Sequence, residues 1–194
     1  MQSKLIILGV ILALIVGFSG WIIGGYNNIQ RLDEDINSKW AQVENQLQRR
    51  YDLIPNLVAT VKGYAKHEEG VFKDVADARA KMGSVIQNSD NPKAAAAAQA
   101  SMSGALSRLL VVAENYPQLK ADAQFTQLMD ELAGTENRLA VARKDYNDEV
   151  NIYNAEIRVF PTNLLAGVFG AAKREYFNPP EEATKSVKVD FGTE

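Results

Sequence analysis

The chain has 194 residues, with 21 Lys and Arg against 24 Asp and Glu, a formal net charge of −3, one histidine (His67) and no cysteine. Without cysteine there is no disulfide framework, no thiolate nucleophile and no Cys-based zinc or iron–sulfur site. One histidine cannot build a two-His metal cage within a chain, and the acidic balance argues against nucleic acid, which needs a basic footprint.

Residues 1–4 form a short tail. From Leu5 to Gly25 the run LIILGVILALIVGFSGWIIGG carries no charge. A bilayer core takes ~20 apolar residues in a helix, and a helix satisfies its own backbone in lipid. The segment is therefore expected to be a single transmembrane helix, with Trp21 and Tyr26 in the interfacial aromatic belt. The rival reading is a cleaved signal peptide, with Lys4 as its positive start and Gly17 and Ser19 as small cleavage residues. The run continues through Trp21, Ile22 and Ile23, longer than a usual signal core. Gly9, Ala13, Gly17, Gly20 and Gly24 place small residues on one face, where two membrane helices can approach closely. This predicts self-association in the bilayer, that is, a homo-oligomer. Lys4 on one side and Arg31 and Lys39 on the other nearly balance, so the positive-inside rule leaves sidedness open.

The soluble part, residues 26–177, is expected to be an all-α, elongated antiparallel helical bundle. Ile29, Leu32, Ile36, Trp40, Val43, Leu47, Ile54, Leu57, Val61 and Tyr64 step by threes and fours, with one gap near Tyr51. No breaker separates this stripe from the membrane segment, so the two are expected to share one helix, kinked between Tyr51 and Pro55. A second helix is expected over about 66–87, with Val71, Phe72, Val75, Ala78, Met82 and Ile86 inward. A third starts at Asn91-Pro92, runs through the alanines 94–98, Leu106, Leu109 and Val112, and ends near Pro117. The fourth is the most regular: Phe125, Leu128, Leu132, Thr135, Leu139, Ala142, Tyr146, Val150, Tyr153, Ile157 and Phe160 line one face, and Pro161 closes it. Beyond it, residues 164–172 are apolar and Lys173, Arg174, Tyr176 and Phe177 follow. That order suits a short helix in the membrane interface or one packed back on the bundle. The tail, 178–194, is expected to be extended or disordered. Its alternating stretch 186–191 could add to a partner as a strand.

Three blocks carry a resemblance: QLQRRYDLIPNLVATVKGYAKHE from Gln46 to Glu68; ENYPQLK from Glu114 with TENRLAVAR from Thr135; and Tyr146-Asn147, Val150, Tyr153-Asn154 and Phe160-Pro161. In these the chain resembles the LemA family. The resemblance implies one N-terminal membrane helix, a soluble all-helical domain and no known enzymatic activity or cofactor. It implies the bacterial inner membrane, with the bulk of the chain cytoplasmic, although the flanking charges allow a periplasmic bundle equally. Relatives in the family include a protein of magnetosome membranes, which implies a role in membrane shape or organisation.

Few motifs point to chemistry. Arg49, Arg50, Tyr51 and Asp52, followed by Pro55 and Asn56, combine charge with a helix breaker. They are read either as a docking or inter-subunit contact or as internal, with Asp52 capping groups freed by Pro55 and the arginines paired to acids such as Glu136 or Glu149. His67-Glu68-Glu69 lacks the second histidine of a zinc site. Ser101, Ser103 and Ser107 lie on a helix without a GxSxG elbow. No phosphate loop or small-molecule substrate site is evident. The expected function is a membrane-anchored, non-enzymatic scaffold that self-associates and organises the bilayer. The alternative is an adaptor or accessory subunit of another membrane machine, such as a quality-control protease. Leu164, Leu165, Val168, Phe169, Lys173, Arg174, Tyr176 and Phe177 are the expected interfacial contacts.

Overall fold

The computed structural model describes residues 2–88 and 91–178. They form six helices: α1 (Gln2–Tyr64), α2 (Glu69–Asn88), α3 (Pro92–Glu114), α4 (Pro117–Lys120), α5 (Ala123–Glu156) and α6 (Thr162–Phe169). There is no strand among the described residues. The alternating stretch 186–191 lies outside them. The chain groups into two compact units. Among the described residues, one holds the chain up to Trp40 with Asp145–Arg174, and the other holds Ala41–Lys144 with residues 175–178.

In the first unit, α1 and the later half of α5 run antiparallel. Asn28 Nδ2 donates to Glu156 Oε1 at 3.4 Å, and the rings of Trp40 and Tyr146 lie 5.2 Å apart. Ile29, Ile36, Val150, Tyr153 and Ile157 are buried here at helical spacing.

In the second unit, Val43, Leu47, Ile54, Leu57 and Val61 of α1 are buried. So are Phe72, Val75, Ala78 and Met82 of α2, Met102, Leu106 and Leu109 of α3, and Leu128, Leu132 and Leu139 of α5. Asn91 caps α3: its side chain accepts from the amides of Lys93 at 2.9 Å and Ala94 at 3.0 Å, and Pro92 needs no acceptor there. The buried Ala95, Ala96 and Ala98 give α3 a narrow face for its neighbours. α3 is long and apolar enough to cross a membrane, but half of that window is buried, as in a core helix.

Two boundaries differ from the periodicity. α2 starts at Glu69, because the carbonyl of Glu68 already accepts the amides of Val71 and Phe72. α5 stops at Glu156, where the amides of Arg158 and Val159 tighten onto the carbonyls three residues back. Pro161 is then the N-cap of α6, and Phe160, expected inward, is 76% exposed. α1 is not interrupted at Pro55. Proline has no N–H for the carbonyl of Tyr51 one turn back. Arg79 of α2 takes that place: its Nε reaches the Tyr51 carbonyl at 3.5 Å while its guanidinium stacks 4.0 Å above the Tyr51 ring. Asp52, the expected cap, instead accepts from Gln48 Nε2 at 2.8 Å on the outer face.

Asp122 starts α5. Its carboxylate accepts the Phe125 amide at 2.9 Å and the Tyr64 hydroxyl at 2.8 Å. The Phe125 amide, then the Tyr64 hydroxyl, hold its carboxyl below the ordinary 3.8. The native state thus binds fewer protons than the unfolded chain in that range, so the contribution is complete above it and fades as pH falls through the folded value. Asp122→Asn is therefore expected to flatten the loss of thermal stability on going from about pH 5 to about pH 3, read from melting curves across that window.

Candidate functional site

The surface of the first unit is apolar at two places. From Leu5 to Val16 every large apolar side chain is between 48% and 68% exposed, and Phe18 and Ile23 are at 61% and 60%. None of the most apolar window of α1 is buried. Contiguous apolar area of this extent is not maintained against water and marks a binding or membrane surface. The small residues of this stretch are open as well: a Cβ added at Gly9, Gly17, Gly20 or Gly24 would meet nothing within 4 Å.

The second place is α6. Gly170 ends this helix in the left-handed region, at φ 69°, which only glycine adopts freely, and the Ala171 amide closes back on the Ala166 carbonyl at 2.9 Å. The short helix packs by its inner side, with Leu165 and Ala166 buried. Gly25 makes room for this: a Cβ there would collide with Leu165 Cδ1. The Phe169 ring lies 4.7 Å from that of Tyr26. α6 therefore sits against the last residues of the uncharged run. Its other side carries Leu164 at 56% and Val168 at 78% exposure, continued by Val159 at 55% and Phe160.

The residues expected at the interface thus divide. Leu164, Val168, Phe169 and Lys173 are exposed. Leu165 is not, because it fills the space over Gly25. Arg174 makes a bidentate pair with Asp33, at 2.7 and 2.9 Å, and also donates to Asn37 Oδ1 at 2.9 Å. The Asp33 hydrogen bond raises its guanidinium pKa further. Asn154 clamps the same residue's backbone, donating to its carbonyl and accepting from its amide, both at 2.9 Å. In the second unit Phe177 is 2% exposed under the Arg143 guanidinium, and Tyr176 is 37% exposed.

The Arg49–Asn56 cluster lies in the second unit and also divides. Arg49, Asp52, Pro55 and Asn56 are exposed, with Arg49 3.8 Å from Glu131. Tyr51 packs on Arg79 and against Gly83. Arg50 is 6% exposed. It pairs with Glu136, and its other terminal nitrogen donates to Ser103 Oγ at 3.3 Å. Gln99 Nε2 donates to Glu136 Oε2 at 3.1 Å. Burial pushes the Arg50 guanidinium down to about 10, so it stays charged at neutral pH. Arg50 occupies the gap in the stripe: it falls between Leu47 and Ile54 in the three–four rhythm, at a core position.

His67 is exposed in the turn between α1 and α2. Among the described residues no three acidic or histidine side chains converge as a metal site.

The sequence profile of the LemA family matches residues 39–191. The chain belongs to the LemA family. Among family relatives, the protein named magnetosome protein MamQ 2 of Paramagnetospirillum magneticum is 29% identical over 185 residues, covering 84% of this chain and 68% of its own. The magnetosome protein MamQ of Magnetospirillum gryphiswaldense is 26% identical over 186 residues, with the same coverage. Protein LemA of Metamycoplasma hominis is 23% identical over 144 residues, covering 74% of this chain and 64% of its own. The matched region includes the Arg50–Glu136 pair, α6 and the Asn154 clamp.

Proposed function

We propose that this LemA-family chain is a membrane-anchored, non-enzymatic helical scaffold that holds the bilayer at two levels and associates with copies of itself. The observation that carries this is the position of α6. Its exposed Leu164 and Val168 lie on a helix packed at Gly25 and Tyr26, where the uncharged run of α1 ends. One helix crosses the hydrocarbon and a second lies at its boundary, with Tyr26 and Lys173 at headgroup level. The relatives named as magnetosome proteins fit a role in organising a membrane. The lipid contact is tested with Val168→Trp in a chain whose two native tryptophans are replaced by Phe, reconstituted in vesicles. Brominated lipids are expected to quench this tryptophan strongly, and emission unchanged from that in water would refute the contact.

The open face of Gly9, Ala13, Gly17, Gly20 and Gly24 supports self-association in the bilayer. As the chain has no cysteine, Gly17→Cys supplies a unique thiol. Oxidation in native membranes is expected to yield linked dimers from Gly17→Cys and not from Ile15→Cys, which lies across the helix. Dimers from neither position would remove self-association through this face. The adaptor reading is favoured by Arg49, Asp52 and Asn56, which are exposed three and four residues apart on one side of α1. Under that reading, chemical crosslinks from this side join the chain to a different protein.

A further inference from the structure

The second unit holds a cavity of about 370 Å³ between α1, α3 and α5 that the scaffold reading leaves unused. Its wall is apolar, built from Leu57, Leu106, Leu110, Met129 and Leu132. Arg50, Glu136, Ser103 and Ser107 supply its polar groups. A few convergent polar groups in an otherwise apolar concavity are the usual make-up of a small-molecule site.

Arg50 and Glu136 are unequal partners. The Arg50 side chain is 7% exposed, whereas that of Glu136 is 44% exposed. Arg50 Nε has no hydrogen-bond partner among the described residues. A buried charged donor with an unused N–H is held in place and asks for a further acceptor. Its carboxylate partner stands half in water and stays solvated when another anion takes its place on Arg50. Ser107 and the 37% exposed Leu110 mark an edge of the cavity that opens to solvent.

We propose that this cavity binds an amphipathic carboxylate of medium chain length, with its head on Arg50 and its tail among the leucines of α1, α3 and α5. The head would take the place of the Glu136 carboxylate on the Arg50 guanidinium and accept from the hydroxyl of Ser103, while Glu136 yields to solvent. A volume of about 370 Å³ falls in the range of small-molecule sites. Octanoate, with an eight-carbon chain, is the matching probe. A cation is disfavoured because the fixed, buried charge is already positive. A neutral alcohol would meet the same wall but would not answer the guanidinium charge.

The experiment uses the full chain in lipid nanodiscs, titrated by calorimetry with octanoate, octan-1-ol, octylammonium and acetate, with empty nanodiscs subtracted. Octanoate is expected to bind saturably, at least ten-fold tighter than octan-1-ol, with no saturable binding of octylammonium or acetate. Glu136→Gln removes the competing charge and is expected to bind octanoate several-fold tighter. Leu110→Trp fills the open edge without touching the Arg50–Glu136 pair, and is expected to abolish binding while its melting curve stays that of the parent. If Glu136→Gln fails to fold, Leu110→Trp carries the test. Absence of saturable octanoate binding, preference for octylammonium, or undiminished binding by Leu110→Trp would each overturn the proposal.

Discussion

Glu136→Ala lowers the stability of the second unit by about 3 kcal/mol, while Arg50→Met changes it by less than about 1 kcal/mol. The two substitutions break the same pair, and their inequality follows from where the two charges stand. Removing Glu136 leaves the guanidinium of Arg50, 6% exposed, in an apolar wall without a counterion. Removing one partner of a buried pair is costly for that reason. Removing Arg50 leaves a carboxylate that is 44% exposed and retains the Gln99 amide, so water completes its solvation. The methionine stem also restores the apolar rhythm of Val43, Leu47, Ile54 and Leu57 at that position. Denaturant unfolding of the two variants measures the difference. Equal losses would mean that Glu136 is effectively buried with Arg50.

The second large effect concerns Asn154. Asn154→Ala is expected to cost about 2 kcal/mol, because one buried side chain closes two hydrogen bonds with the backbone of Arg174. The carboxamide does here what a neighbouring strand would do, offering one donor and one acceptor to an extended stretch. Without it, the Arg174 amide and carbonyl must find water, and at this residue only the side-chain bonds to Asp33 and Asn37 are left. The Asp33–Arg174 pair is about one-third exposed on each side and contributes less. Hydrogen exchange is the discriminating measurement: amides around Arg174 should lose protection while those in the middle of α5 keep theirs. Uniform loss along α5 would show that Asn154 serves the helix instead.

Much of this was readable beforehand because helical burial repeats with a fixed period. From Phe125 to Ile157 every position expected inward on α5 is buried, including Thr135, whose hydroxyl is satisfied by the Leu132 carbonyl at 2.7 Å. Phe160 failed only because the helix ends at Glu156, and beyond a helix its period has no meaning. Arg50 was within reach too. The gap near Tyr51 in the α1 stripe is the guanidinium itself, overlooked because an arginine in an apolar rhythm is taken for surface. The pairing of an arginine there with Glu136 was foreseeable from charge; the cavity was not, since it depends on side chains from three helices. The Asn154 clamp was also hidden. It requires the chain to turn at Gly170 and return along α5, and nothing local in Tyr153-Asn154 distinguishes a clamp from a solvated polar residue.

Arg79 has a consequence for the order in which the chain is built. The chain can coil as it leaves the ribosome, since each carbonyl up to Arg50 finds its amide four residues on. At Pro55 that self-sufficiency stops. The Tyr51 carbonyl loses its helical donor and is left to water until Arg79, 28 residues later, has been synthesised and α2 has folded back. Until then the break favours bending at this point, which gives the nascent chain a hinge that disappears on completion. The last turns of α1 should therefore gain their full hydrogen-exchange protection only in nascent chains long enough to present α2, a maturation step set by chain length.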